Sequence, residues 1–190
     1  DFAQVSEVVT RVQEGHNVHQ HLDLIAGLPY EDYDSFGKSF CDVYQLRPQQ
    51  LQLGFLKVLK GSFMYQAAPE YGCVCQSREP YEVLYTRWLP YDDVLRLKLV
   101  EEMVEVYYNS NQFGKTLRAI EKLFDNPFAL YEALGAFYDK KGYMDISHTR
   151  IRRYEILQEF LQEYVDEEQM DYYRQLMICD LYARENMKTR

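Results

Sequence analysis

The sequence has few of the residues that crosslink a protein or anchor it in a membrane. Of its 190 residues, four are cysteine and one is tryptophan. The cysteines are Cys41, Cys73, Cys75 and Cys179. Because they follow no regular spacing, a disulfide framework is excluded and reduced thiols are expected. No apolar run approaches the roughly 20 residues that cross a bilayer. We therefore expect a cytoplasmic protein without a membrane partner.

Basic residues are outnumbered by acidic ones. The chain has 21 Lys and Arg against 30 Asp and Glu, a formal net charge of -9. A surface of this sign repels phosphate backbones and anionic lipids, so binding to nucleic acid is not expected. Aromatic residues, by contrast, are abundant, with 18 Tyr and 10 Phe to build a buried core.

The first third of the chain alternates helix and strand patterns. Apolar residues at helical spacing predict helices over 2–14 and 31–46, and apolar runs predict strands over 18–26 and 50–59. This order with short connections is typical of a parallel β/α layer. Two parallel strands leave edges and faces uncovered, so we expect further strands from elsewhere in the polypeptide, or self-association through an exposed strand edge.

The patterns after residue 89 are all helical. Helices are predicted over 92–108, 114–124, 127–141, 147–165 and 166–185, with Ser147 and Asp166 as N-caps of the last two. The glycines and prolines between residues 61 and 90 predict an irregular linker. The expected fold is α/β plus all-α: a fragment of a parallel β/α (TIM-like) barrel over 1–62, a linker over 63–88 and a helical domain over 89–190.

Two strand segments resemble a known superfamily. Residues 21–32, HLDLIAGLPYED, resemble the strand-and-turn motif of radical S-adenosylmethionine enzymes, in which an apolar strand ends in Gly-Leu-Pro followed by an acidic residue. Residues 51–62, LQLGFLKVLKGS, resemble the next barrel strand. The segments 81–85 and 99–108 are similar to the C-terminal helical domain, of unknown function, in the cobalamin-binding subgroup of that superfamily.

The resemblance implies that the chain is the C-terminal part of a radical S-adenosylmethionine Fe–S enzyme, of the kind described as Fe–S oxidoreductase or magnesium-protoporphyrin monomethyl ester cyclase-like. Such an enzyme uses S-adenosylmethionine and a [4Fe–4S] cluster, and cobalamin in this subgroup. The cluster is held by a Cys-x3-Cys-x2-Cys loop, which Cys73-Val74-Cys75 does not match. We expect that loop before Asp1, in an N-terminal part of the same polypeptide, and no cofactor, metal ligand or catalytic residue in this chain alone.

The resemblance also assigns cofactor-binding residues. Glu31 stands at the Glu position of the usual Gly-Leu-Pro-Gly-Glu motif, whereas Tyr30 replaces its second glycine. A glycine lets the backbone approach a flat ring closely. The wall that contacts adenine is thereby assigned to Ile25, Gly27, Glu31, Leu59 and Gly61.

Alternation along the first strand gives an independent prediction. His19, His21 and Asp23 share one face with Ile25, and the opposite face is mostly apolar. Helices cover the outside of a β/α barrel and require apolar contacts, so the polar face is expected to point inward, toward substrate.

Other interpretations of these patterns stay open. The histidines with Asp23 resemble a metal site, although a polar barrel interior explains them equally well. Cys73 and Cys75 are a candidate redox pair, and the cluster of Arg150, Arg152 and Arg153 is either an anion site or part of a surface salt-bridge network. For the whole chain, the alternative function is a non-catalytic helical interaction or scaffold module.

Overall fold

The computed structural model describes residues 2–185, most of which are helical in a mixed α/β arrangement. The α-helices are α1 (Phe2–Glu14), α2 (Tyr33–Gln45), α3 (Phe63–Ala67), α4 (Tyr91–Met103), α5 (Gly114–Ile120), α6 (Pro127–Lys141), α7 (Arg150–Leu161) and α8 (Glu167–Glu185). The strands are β1 (His21–Ala26), β2 (Gln50–Phe55), β3 (Val74–Cys75) and β4 (Val83–Tyr85). The chain divides into two compact units, which we call the sheet unit (residues 2–101) and the helical unit (102–185).

β1 and β2 pair in parallel, as the sequence predicts. The register sets Leu22 opposite Leu51, and Ala26 opposite Phe55, so the apolar residues of both strands share one face. That face is buried along β2 and half-buried along most of β1, and α2 packs against β1 with the side chains of Phe36 and other aromatic residues in the core. Burial of this stripe holds helix and strands together through the hydrophobic effect.

Both strands are shorter than predicted. β1 begins at His21 rather than at residue 18, because its partner begins at Gln50. β2 ends at Phe55 rather than at residue 59, because the chain then changes partner: the amide of Val83 donates to the carbonyl of Leu56 at 2.8 Å. A strand ends where its partner ends, which periodicity along one segment does not reveal.

The segment 63–88 is ordered structure, where the sequence predicts an irregular linker. It contains α3 and the antiparallel pair of β3 and β4. Val83 is buried, and the backbone of its neighbour Glu82 pairs with that of Lys57 in an isolated antiparallel β-bridge. This segment therefore belongs to the folded sheet unit.

Local capping explains where several helices begin. Asp32 and Ser35 form a reciprocal capping box at the start of α2. Asn126 caps α6, which starts with a proline, and Asp166 accepts a hydrogen bond from the amide of Gln169 before α8. The predicted cap Ser147 is wrong: α7 begins later, with the hydroxyl of Thr149 accepting the bond from the amide of Arg152.

The helical unit has a core rich in aromatic residues. Tyr107, Tyr131, Tyr138 and Phe160 are all buried. A continuous α-helix is predicted to residue 108, but α4 ends at Met103 and a π-helix spans Val104–Asn109. Within residues 2–185, none of the helices combines the length and apolar character that crossing a bilayer demands.

Candidate functional site

The face of the β1–β2 pair opposite the buried one is open and partly polar. His21, Asp23 and Ile25 project from this face, and all three are exposed. The Nε2 atom of His21 lies 3.0 Å from Oδ1 of Asp23, so the two side chains form one polar group. His19 lies before β1 and is exposed, so the structure joins two of the three predicted substrate-facing residues within one strand and leaves the third outside it.

Beside this polar group the open face has a flat apolar spot. The register sets Gly54 of β2 opposite Ile25, whose side chain is 46% exposed. A Cβ atom on Gly54 would meet only the carbonyl oxygen of Leu24, at 3.7 Å, so the space above this glycine is open. A planar ring can rest on such a surface. The sequence prediction missed Gly54, although the pairing of the two strands identifies it.

The turn after β1 keeps the backbone shape that glycine favours. Gly27 has φ +89°, and a Cβ atom there would lie 2.7 Å from Cγ1 of Val83. Tyr30 has φ +68°, a region that glycine enters freely and tyrosine rarely does. Its ring is 73% exposed and lies 4.6 Å from the ring of Trp88, centroid to centroid. The tyrosine therefore changes the side chain at this motif position but keeps a glycine-like backbone.

Glu31 carries a buried acceptor that lacks a partner. Its Oε1 accepts a long hydrogen bond of 3.4 Å from the Ser39 hydroxyl. Its Oε2 is buried and, among the described residues, has no hydrogen-bond partner. Burial raises the pKa of the Glu31 carboxyl, and the adjacent Asp32 acts in the same direction. A buried acceptor of this kind is satisfied when a donor approaches it.

Leu59 and Gly61 lie beyond the end of β2 rather than within it. The Leu59 carbonyl accepts hydrogen bonds from the amide and the hydroxyl of Ser62, so it already has protein partners. The Leu59 side chain is exposed. Gly61 has φ +85° and open space around its Cα. What this turn offers a ligand is therefore the Leu59 side chain and the open surface at Gly61.

Cys73 and Cys75 lie close together, and both are thiols rather than thiolates. Their sulfur atoms lie 3.6 Å apart, Cys75 within β3 and Cys73 directly before it. Burial raises the pKa of both thiols, that of Cys75 to about 12, so both are protonated at neutral pH. Across the part of the chain that the structure describes, no three His, Cys, Asp or Glu side chains are placed to hold a metal ion together.

The comparison with protein families yields one match. The model of a family described as "Protein of unknown function (DUF4080)" matches residues 69–190, well over half of the chain. No curated protein matches the chain. The matched region includes β3, β4 and the helical unit, while β1 and β2 precede it.

Proposed function

The chain belongs to the DUF4080 family, and from this premise we propose that it is the C-terminal part of a radical S-adenosylmethionine Fe–S enzyme. The family's domain is found in radical S-adenosylmethionine and cobalamin-binding proteins. In this proposal the sheet unit is part of a parallel β/α barrel and contributes to its adenine and substrate wall. The helical unit is an accessory domain.

The observation that carries the proposal is the two-faced character of the β1–β2 pair. One face is buried and apolar, while the other exposes His21, Asp23 and Ile25. In a β/α barrel the outer face of each strand packs against helices and the ends of the strands carry the site. A segment of a barrel wall without its neighbouring strands would expose its inner face. The β1–β2 pair has an open, partly polar face of this kind.

Helix α1 supports the same interpretation. Phe2, Val5 and Val8 recur every three residues, so they lie along one side of the helix, and all three are exposed. Apolar stripes of this kind are normally covered by another element. In the proposed barrel, α1 would be the helix that precedes β1 along the chain, and its apolar stripe would pack against a neighbouring helix of the outer ring.

The proposal assigns one edge of S-adenosylmethionine to the open face and the turn that follows β1. The Ile25 side chain and the bare backbone at Gly54 would receive the adenine ring, and the Oε2 atom of Glu31 would accept a hydrogen bond from a donor on the ligand. When bound beside its cluster, S-adenosylmethionine supplies a 5′-deoxyadenosyl radical. His21 and Asp23 would then orient the substrate through hydrogen bonds.

The residues of this chain do not fit the iron–sulfur cluster. The ligand loop needs three cysteines in close spacing, whereas Cys73 and Cys75 are only a pair, separated by one residue. The cluster ligands would therefore come from another part of the polypeptide, and the isolated chain would be inactive.

The reading frame upstream of Asp1 tests this proposal. We expect it to encode a Cys-x3-Cys-x2-Cys loop, and the full-length polypeptide, reconstituted with iron and sulfide without oxygen, to show the visible absorption of a [4Fe–4S] cluster. A frame without that loop, or a full-length protein that binds no cluster, would refute the assignment.

One observation favours the alternative of a helical interaction module. A shallow groove between α7 and α8 is lined largely by apolar side chains, among them Ile151, Met177 and Ile178. In this alternative the groove holds the N-terminal part of the same polypeptide. Adding that part to the 190-residue chain, and comparing the wild type with Ile178→Asp, tests it: saturable binding that the substitution abolishes would support a scaffold role.

A further inference from the structure

The helical unit contains a polar cleft that the function proposed above does not use. The cleft has a volume of about 260 Å³ and is formed by four separate parts of the unit. Glu102 lines it from the last turn of α4 and Val106 from the π-helix that follows. The other parts contribute Tyr138 from α6, His148 from the α6–α7 loop and Arg153 from α7. π-helical turns occur frequently at functional sites, because the extra residue redirects side chains.

The walls of the cleft are held in place by aromatic contacts. The ring of His148 lies 5.7 Å from that of Tyr143 and 6.1 Å from that of Tyr138, edge to face in both cases. Nε2 of His148 lies 2.9 Å from the Tyr143 carbonyl oxygen, and since a carbonyl only accepts, this nitrogen carries the hydrogen. The Tyr143 hydroxyl in turn donates to Glu159 at 2.8 Å. The α6–α7 loop is thus ordered before any ligand arrives.

The cleft carries one arginine. Arg153 lines it, and among the residues that the structure describes its guanidinium forms no ion pair. The neighbouring Arg152 is different, because it is paired with Glu155 at 3.0 Å and Glu159 at 2.9 Å. The two arginines are therefore not equivalent: Arg152 belongs to a surface network, and Arg153 is available to an anionic group.

The same cleft also carries negative groups. Glu102 and Asp145 line it, and neither carboxylate has a hydrogen bond or ion pair with another described residue. The Tyr138 hydroxyl lies 2.7 Å from that of Tyr107, and the Tyr107 hydroxyl donates to the Arg153 carbonyl at 3.4 Å. Tyr138 must then donate to Tyr107, which leaves the Tyr138 oxygen as a further acceptor.

From these charges we propose that the cleft binds a small zwitterion, an α-amino acid with an apolar side chain. The ligand carboxylate would pair with Arg153, and its ammonium group with Glu102 and the Tyr138 oxygen. The apolar lining of Val106, Met144 and Ile146 would receive the side chain. Drug-sized ligands occupy pockets of about 300–1,000 Å³, so a cleft below that range suits only a small molecule.

Isothermal titration of the 190-residue chain with three matched probes tests this proposal. L-Leucine carries both charges, L-leucinamide only the positive one and isocaproate only the negative one. We expect L-leucine to bind, and each of the other two to bind at least about tenfold more weakly. Absence of saturable heat with L-leucine would overturn the proposal, as would equal binding of isocaproate or of L-leucinamide.

Variants of Arg153 and Glu102 separate the roles of the two charges. Arg153→Gln should abolish discrimination between L-leucine and L-leucinamide, and Glu102→Gln discrimination between L-leucine and isocaproate. Arg118→Gln is the matched control, because Arg118 is exposed on α5 outside the cleft. Arg153→Lys keeps the charge without the planar fork and should bind with intermediate affinity, which guards against a folding defect. Unchanged selectivity in both charge-removing variants would contradict the assigned orientation.

Discussion

The carboxylate of Asp180, on α8, accepts a hydrogen bond of 2.7 Å from the hydroxyl of Thr116, in the first turn of α5. It also accepts bonds from the amides of Thr116 at 2.9 Å and Lys115 at 3.1 Å. Phe113, which precedes α5, offers no side-chain cap. Asp180, which lies 64 positions after Thr116, therefore caps this helix from a buried position.

Removing this long-range cap should destabilise the helical unit. Asp180→Ala leaves buried amides without an acceptor, and we expect a loss of about 2 kcal/mol in the free energy of unfolding. Urea denaturation followed by circular dichroism measures it. Gln175→Ala, an exposed position on the same helix, is the control and should change little. Equal stability of the two variants would show that the cap is not formed.

Two glycines with similar positive φ angles should respond differently to alanine. Gly61→Ala costs only the positive φ, about 1 kcal/mol, because no atom lies within 4 Å of the added Cβ. Gly27→Ala pays the same penalty and also meets Cγ1 of Val83 at 2.7 Å, which should raise the loss by at least about 1 kcal/mol. Thermal unfolding compares the two, and in a Val83→Ala background the difference should shrink. Equal losses in the wild-type background would contradict the close packing at Gly27.

Tyr107 should make the protein sensitive to alkali. Burial raises the pKa of its hydroxyl well above the ordinary value of 10.0, with Tyr138 adding to the effect. The unfolded chain therefore releases this proton at lower pH than the folded chain, so the contribution of Tyr107 to stability is fully present below about pH 10 and is lost above it. Tyr107→Phe should flatten this alkaline decline, whereas Tyr182→Phe, at an exposed position, should not. Parallel declines in wild type and Tyr107→Phe would refute the buried position of this hydroxyl.

The ionised carboxyl of Glu31 should destabilise the isolated chain. Burial raises the pKa of its carboxyl above 4.5, so the folded state holds the proton more tightly than the unfolded state. Its contribution is fully present below pH 4.5 and is lost as the pH rises through the folded pKa. Glu31→Gln should therefore weaken the decline in stability between acid and neutral pH, as measured by thermal unfolding at a series of pH values. Unaltered pH dependence would show that the carboxyl is solvated.

Local signals allowed much of the fold to be predicted. The cap at Asp166 and the apolar stripes of the helices each act within one or two turns, so they are readable from the sequence. The buried and exposed faces of β1 follow from simple alternation at His21, Asp23 and Ile25.

Long-range partners were out of reach of the same reasoning. β2 ends early because the following residues pair with a segment that includes Val83, and α5 is capped by Asp180 from α8. The cleft in the helical unit joins Glu102, Tyr138 and Arg153 from three elements, none of which carries a motif. Self-association through a strand edge stays a prediction.

The affinity of the full-length polypeptide for S-adenosylmethionine tests most directly whether the open face of β1 is part of the cofactor wall. Equilibrium dialysis would compare the wild type with Ile25→Asp, which places a charge beneath the expected adenine ring, and with Val18→Asp, a control at an exposed position before β1. We predict that Ile25→Asp weakens binding by at least about tenfold while the control binds as the wild type does. Equal affinities in all three proteins, or no binding by the wild type, would contradict the account.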